Sequence, residues 1–238
     1  MLMKNIGERN TLNSAKLFFY SIIFVLFFVS WTLCHALERS DILLDIVQTC
    51  VDQTPANYCR QCRAPRSDSI CNATTTCQTS TEVWSESVDF VAIRDIKMCG
   101  CPTNFVHGLV LPKSVVTGIE DPNRPIGIWQ FSWDVASQRI PENEIALAVN
   151  SKSKRTQNQL HVHLVRLKEG LNPELDSSWV GELQNLQLVW EFARQAALTK
   201  HMSEYGVLVA RSPNGGFRVA ITQESPEGQF TQAFCTAL

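Results

Sequence analysis

Apolar residues run from Leu17 to Leu33 without an intervening charge, and the pattern then breaks into shorter pieces. Past Ser40, which can cap, Ile42, Leu43, Ile46 and Val47 recur at helical spacing, predicting a helix over Ser40–Cys50. Val51–Ser80 is polar, rich in cysteine, threonine and asparagine, and has no clear period. Alternating or short apolar runs predict strands over Val88–Ile93, Asn104–Leu111 (closed by Pro112), Ile145–Val149, Gln159–Leu167, Tyr205–Arg211 and Phe217–Thr222. The last two flank Pro213-Asn214-Gly215-Gly216, where residues tolerant of positive φ favour a hairpin. Leu186–His201 has one apolar face and predicts an amphipathic helix. Trp129, Phe131 and Trp133 alternate as in a strand, while Ile128, Trp129, Trp133 and Ala136 fit a helix. The segment is expected to be a helix, with Asp121-Pro122 able to cap and open a helix just before it. The sum is an α+β domain, a mainly antiparallel sheet with packed helices.

Lys4, Arg9 and Lys16 precede the first apolar run, which is long for a cleaved signal and slightly short for a comfortable span. Cleavage after Ala36 is one outcome. An uncleaved single-pass anchor over residues 1–36, with the basic end in the cytoplasm, is the one expected. Residues 37–238 then make one exported domain with a cysteine-rich excursion at about 50–80, a length suited to a single core. A formal net charge of −2 gives no general attraction to nucleic acid. Setting aside Cys34, eight cysteines remain: Cys50, Cys59, Cys62, Cys71, Cys77, Cys99, Cys101 and Cys235. In an exported domain an even set predicts disulfides over a zinc knuckle built on Cys59, Cys62, Cys71 and Cys77. Cys99 and Cys101 are too close to pair with each other, so each is expected to have a distant partner.

In a strand from Gln159 to Leu167, Gln159, His161 and His163 share one face while Leu160, Val162 and Leu164 share the other. The preceding loop, Asn150 to Asn158, holds Lys152, Lys154 and Arg155. Imidazoles beside cations suit a phosphate-bearing substrate, but a His-x-His pair by itself is equally open to structural, metal-binding and catalytic roles.

The row resembles the histidine-triad signature, in which histidines alternate with apolar residues and the middle one attacks phosphorus. His107-Gly108-Leu109-Val110-Leu111-Pro112-Lys113 is similar to the strand that precedes the helix in that superfamily. Asn150-Ser151, Arg155-Thr156-Gln157-Asn158 before the His-x-His pair, and His201-Met202-x-x-Tyr205-Gly206 together resemble the CDP-diacylglycerol pyrophosphatase family. The likeness runs with gaps from about Val88 to Thr222 and leaves out Cys59–Cys77. It implies a histidine-triad-like fold with an N-terminal membrane segment and no cofactor or metal. It also implies hydrolysis of CDP-diacylglycerol to CMP and phosphatidate. By position, His161 is the nucleophile and His163 the last triad member, while Gln159 stands where the first triad histidine would be and retains an orienting role. Arg155, Gln157, Asn158, Asn150 and His107 become candidates for contacting phosphate or substrate. The location implied is the outer face of a bacterial inner membrane, and a homodimer is a further analogy. The rivals are hydrolysis of other nucleoside pyrophosphates, or a zinc-binding or disulfide-rich interaction domain without enzymatic activity.

Overall fold

The computed structural model describes residues 41–71, 76–171 and 178–235. The expected anchor over 1–36 lies outside them, and no helix among the described residues is long and apolar enough to cross a membrane. The strands are β1 (Val83–Glu86), β2 (Phe90–Arg94), β3 (Gly108–Pro112), β4 (Ile145–Val149), β5 (Val162–Arg166), β6 (Trp179–Leu183), β7 (Gly206–Arg211) and β8 (Phe217–Thr222). They form one eight-stranded sheet in the order β1-β2-β3-β5-β4-β7-β8-β6. Every pairing is antiparallel. The class is therefore α+β, as the periodicity indicates.

Both faces of the sheet are covered, which is why β3 and β4 read as unbroken apolar runs and are buried along their whole length. On one face, α3 (Ile128–Ser137) and α4 (Val189–Thr199) pack against Val110, Leu147, Val162, Leu164, Val209 and Ile221. The other face is shared by two small elements. α1 (Ile42–Asp45, extended by a wider turn over Ile46–Cys50) covers Val91, Ile93, Leu109 and Leu111. α5 (Pro226–Phe230) places Phe230 on Ala146, Ala148, Val165 and Leu208. Between these two patches lie His163 of β5 and the end of β4, and their side chains are buried too. The remaining short helix, α2 (Tyr58–Gln61), belongs to the cysteine-rich excursion.

All eight expected cysteines are in disulfides: Cys50–Cys62, Cys59–Cys71, Cys77–Cys99 and Cys101–Cys235. The zinc knuckle is thereby excluded, since its four candidate ligands are all bonded to sulfur. Cys99 and Cys101 do have separate, distant partners.

Several boundaries differ from expectation for local reasons. Val88 lies outside the strand, in the β1–β2 turn, and is 89% exposed. Asn104–His107 is not strand, because Phe105 turns back onto the Pro102 carbonyl before β3 begins. Gln159–His161 is also irregular: the Leu160 N–H goes to Val116 O rather than into the ladder. Asp121 does not start a helix. Its carboxylate accepts from the N–H groups of Thr117 and Asn123, closing a loop, and α3 begins only at Ile128. Leu186–Leu188 is a 3₁₀ turn ahead of α4. At the hairpin, Gly215 and Gly216, not Asn214, take positive φ. The short strands β1 and β6 have no counterpart in the expectations above.

Candidate active site

Antiparallel register brings the start of β5, the end of β3, the end of β4 and the start of β7 to one end of the sheet. The loops 113–119 and 150–161 meet there. Leu160, Val162 and Leu164 join the core under α3, so His161 and His163 point to the opposite face of the sheet.

His161 is almost buried, at 7% exposure. Its Nδ1 lies 2.8 Å from the carbonyl oxygen of Gln159. A carbonyl only accepts, so Nδ1 carries the proton and Nε2 presents its lone pair. Nε2 makes no hydrogen bond among the described residues. A neutral, fixed imidazole with one unengaged nitrogen is what an attack on phosphorus requires.

The other two histidines are engaged at both nitrogens. His107 Nδ1 donates to the Ala233 carbonyl at 3.2 Å, and its Nε2 meets His163 Nδ1 at 3.1 Å. His163 Nε2 then faces the Asn150 amide at 3.5 Å and Glu227 Oε2 at 3.3 Å. The Asn150 amide also donates to Glu227 at 3.1 Å, and Ser225 donates to the Asn150 side-chain oxygen at 2.8 Å. Asp95 stands 3.4 Å from His107, and Lys97 is paired with Glu227. The rings of His161 and His163 meet edge to face, 4.8 Å between centroids.

Burial pushes all three imidazoles below their ordinary value. For His107 it outweighs the neighbouring Asp95 and Glu227 carboxylates. For His161 it outweighs the Gln159 carbonyl and Glu227. His163 falls furthest, since the other two rings and Lys97 add to its burial. The folded protein therefore binds fewer protons than the unfolded chain below the ordinary value of 6.5. Stability from these groups is fully present above that value and is lost as pH falls through their lowered folded values. The urea midpoint is expected to drop between about pH 7 and about pH 5 in a series of equilibrium melts. An unchanged midpoint would contradict the burial of neutral imidazoles.

The remaining sequence candidates occupy different places. The Gln159 side chain faces away from the pair: its amide donates to Pro112 O at 2.9 Å and Ser114 O at 2.8 Å, and its oxygen accepts from Val116 N. Its backbone carbonyl, rather than its side chain, is what orients His161. Arg155 makes two 2.7 Å bonds to Glu120. Burial would raise the Glu120 carboxyl, but these donors outweigh it and hold the group low. Gln157 accepts from Leu43 N, and Asn158 donates to Asp41, so both tie the loop to the start of α1. His201 closes α4 with a positive φ of 53°, while Met202 N reaches back to Ala197 O, a structural stop. Asp95, Lys97, Glu120 and Glu227 join or support the site without any local sequence signal. Each is one of many charges, and only the fold brings them to the histidines.

Asp95, His107 and His163 each bring one ligand atom within 4.8 Å of the others, the one such group among the described residues. The facing nitrogens of its two rings are spent on each other, and Lys97 already stands beside it as a cation. The group is satisfied as a hydrogen-bonded network without an ion. A cavity of about 850 Å³ between Phe105, Arg166, Gln232 and Phe234 opens beside Glu144 and Arg166, at the other ends of β4 and β5, and His161 does not line it.

Compared with known families, residues 38–195 match the family model described as CDP-diacylglycerol pyrophosphatase. The match covers well over half the chain and takes in the cysteine-rich segment. It stops short of β7, β8 and α5.

Proposed function

Because the chain belongs to the CDP-diacylglycerol pyrophosphatase family, a family of phosphoric anhydride hydrolases, we propose that it hydrolyses its lipid nucleotide through a covalent intermediate on His161. The carrying observation is the 2.8 Å bond from His161 Nδ1 to the Gln159 carbonyl, which commits the lone pair to Nε2. Nε2 bonds to the phosphorus of the CMP half, the bridging P–O bond breaks, and phosphatidate leaves with the electron pair. Water then bonds to phosphorus, the N–P pair returns to the ring, CMP departs, and the water proton passes to solvent. The leaving group is already a stable anion and needs little protonation. A row with only two histidines is therefore chemically sufficient. The protein's main contribution is alignment and charge neutralisation.

His161 is preferred to His163 because both nitrogens of His163 face protein partners. The irregular backbone at Gln159–His161 takes the Leu160 N–H out of the ladder to Val116 O, where the loop 150–158 runs into β5. The exposed side chains of Val115 and Ile42 lie on the two segments bordering that loop, where acyl chains could rest. Four disulfides accord with an exported domain, and the apolar run from Leu17 to Leu33 would tether it to the bilayer that holds its substrate. The decisive experiment is to quench turnover of CDP-diacylglycerol in detergent micelles and map any nucleotidyl adduct by mass spectrometry. An adduct on His161 is expected. Its appearance on another residue, or turnover with no adduct at all, would overturn the mechanism.

We further propose that Arg155, although paired with Glu120, meets the substrate phosphate; Gly118 makes room for it, since a Cβ there would stand 2.2 Å from Arg155 Nη1. Gly118→Ala should displace the guanidinium while leaving it charged. KM is expected to rise roughly tenfold, the worth of one charge-assisted hydrogen bond of about 1.5 kcal/mol. An unaltered KM would remove Arg155 from substrate binding.

A further inference from the structure

Glu227 lies outside the family match, on a helix of five residues, and is buried to 7% exposure. A buried carboxylate is costly unless its neighbours compensate. Here it touches Lys97, His163 Nε2 at 3.3 Å, the Asn150 amide at 3.1 Å and His107 Nε2 at 3.5 Å. One ion pair with Lys97 would satisfy a structural carboxylate. The second oxygen is instead aimed at His163, whose ring meets His161, and at the Asn150 amide that contacts His163 Nε2.

We propose that Glu227 is a positioning residue for the displacement on phosphorus, offsetting through His163 and Asn150 the positive charge that His161 acquires. This rests on the nucleotidyl-histidine mechanism above. When His161 Nε2 bonds to phosphorus, its Nδ1 keeps its proton for the Gln159 carbonyl, so the ring becomes a cation. His163 stands directly behind it, 4.8 Å between ring centres, and Glu227 directly behind His163. A fixed anion in this dry place favours the charged state more than the neutral ground state, and needs no rearrangement as the charge develops. The direction of the coupling agrees: Glu227 raises the proton affinity of His161, opposing the larger effect of burial. Ser225 caps α5 and also donates to Asn150, so the helix start and the amide move as one piece.

The effect belongs to the bond-making step and not to substrate capture. Glu227→Gln keeps the shape and removes the charge. In the full chain assayed with CDP-diacylglycerol in micelles, kcat should fall by about tenfold or more while KM stays within about twofold. Rapid-quench traces should show slower adduct formation on His161, and Glu227→Asp should recover part of the rate. Thermal melts and circular dichroism run beside the assay identify any unfolding. If Glu227→Gln forms the adduct at the wild-type rate, or loses activity only in proportion to its folded fraction, the proposal is wrong. If the wild type forms no adduct on His161, the nucleophile assignment fails first, and the two failures are told apart in one experiment.

Discussion

Replacing His161 with alanine is expected to abolish CMP release while leaving the domain folded. Among the three histidines of the site, this imidazole alone keeps a nitrogen unengaged by the described residues. Its removal also takes away the covalent route, and losses of nucleophiles commonly amount to about 10³-fold or more. The structural cost is smaller. The Gln159 carbonyl loses its donor and a small space opens, together worth about 1–3 kcal/mol against a typical domain stability of about 5–15 kcal/mol. Chromatographic measurement of CMP, beside a thermal melt of the same preparation, separates the two effects. Activity within about tenfold of wild type in a folded His161→Ala protein would mean that the attacking group is elsewhere.

Breaking the Cys101–Cys235 bridge should have the largest effect on stability. It closes a loop of 134 residues, against 12, 12 and 22 for the other three. Longer loops restrict the unfolded chain more, so the double Cys101→Ser, Cys235→Ser variant is expected to lose about 2–4 kcal/mol. For a domain of this size that lowers Tm by roughly 5–15 °C. Activity should fall as well, since Cys235 follows Ala233, whose carbonyl supports His107 and through it His163. A folded variant with unchanged Tm and kcat would show that Gln232 N to Arg166 O and Lys168 N to Phe230 O are enough to hold the C-terminal segment.

Much of the sheet was legible in the sequence because β3, β4, β5, β7 and β8 are apolar runs closed by strong turn or breaker residues. The tryptophan-rich segment resolved to α3 because Ile128, Trp129 and Trp133 fall on one buried helical face. β1 and β6 escaped notice because they are edge strands, only partly buried, whose sequences lack a clean alternation. Asp121 shows how a good capping residue can be spent on a loop: the same carboxylate that could open a helix closes the turn Thr117–Asn123. At the site, His161, His163, Asn150 and His107 do converge. Arg155, Gln157 and Asn158 instead hold Glu120, Leu43 and Asp41. The carboxylates behind the histidines were invisible, since Asp95 and Glu227 are separated from His163 by dozens of residues and meet it only through the register of β3, β4 and β5 and the docking of α5.

The amide at position 159 carries a lesson for anyone tempted to rebuild a three-imidazole row. Two main-chain oxygens and one main-chain N–H converge on this buried side chain. A neutral imidazole offers one donor and one acceptor, so a histidine grafted there would strand a carbonyl at a cost of about 1–3 kcal/mol. Asparagine, one methylene shorter, would not span the same three groups. The glutamine is thus an architectural keystone of the turn leading into β5, and a third imidazole could be introduced there only together with a redrawn 112–116 loop.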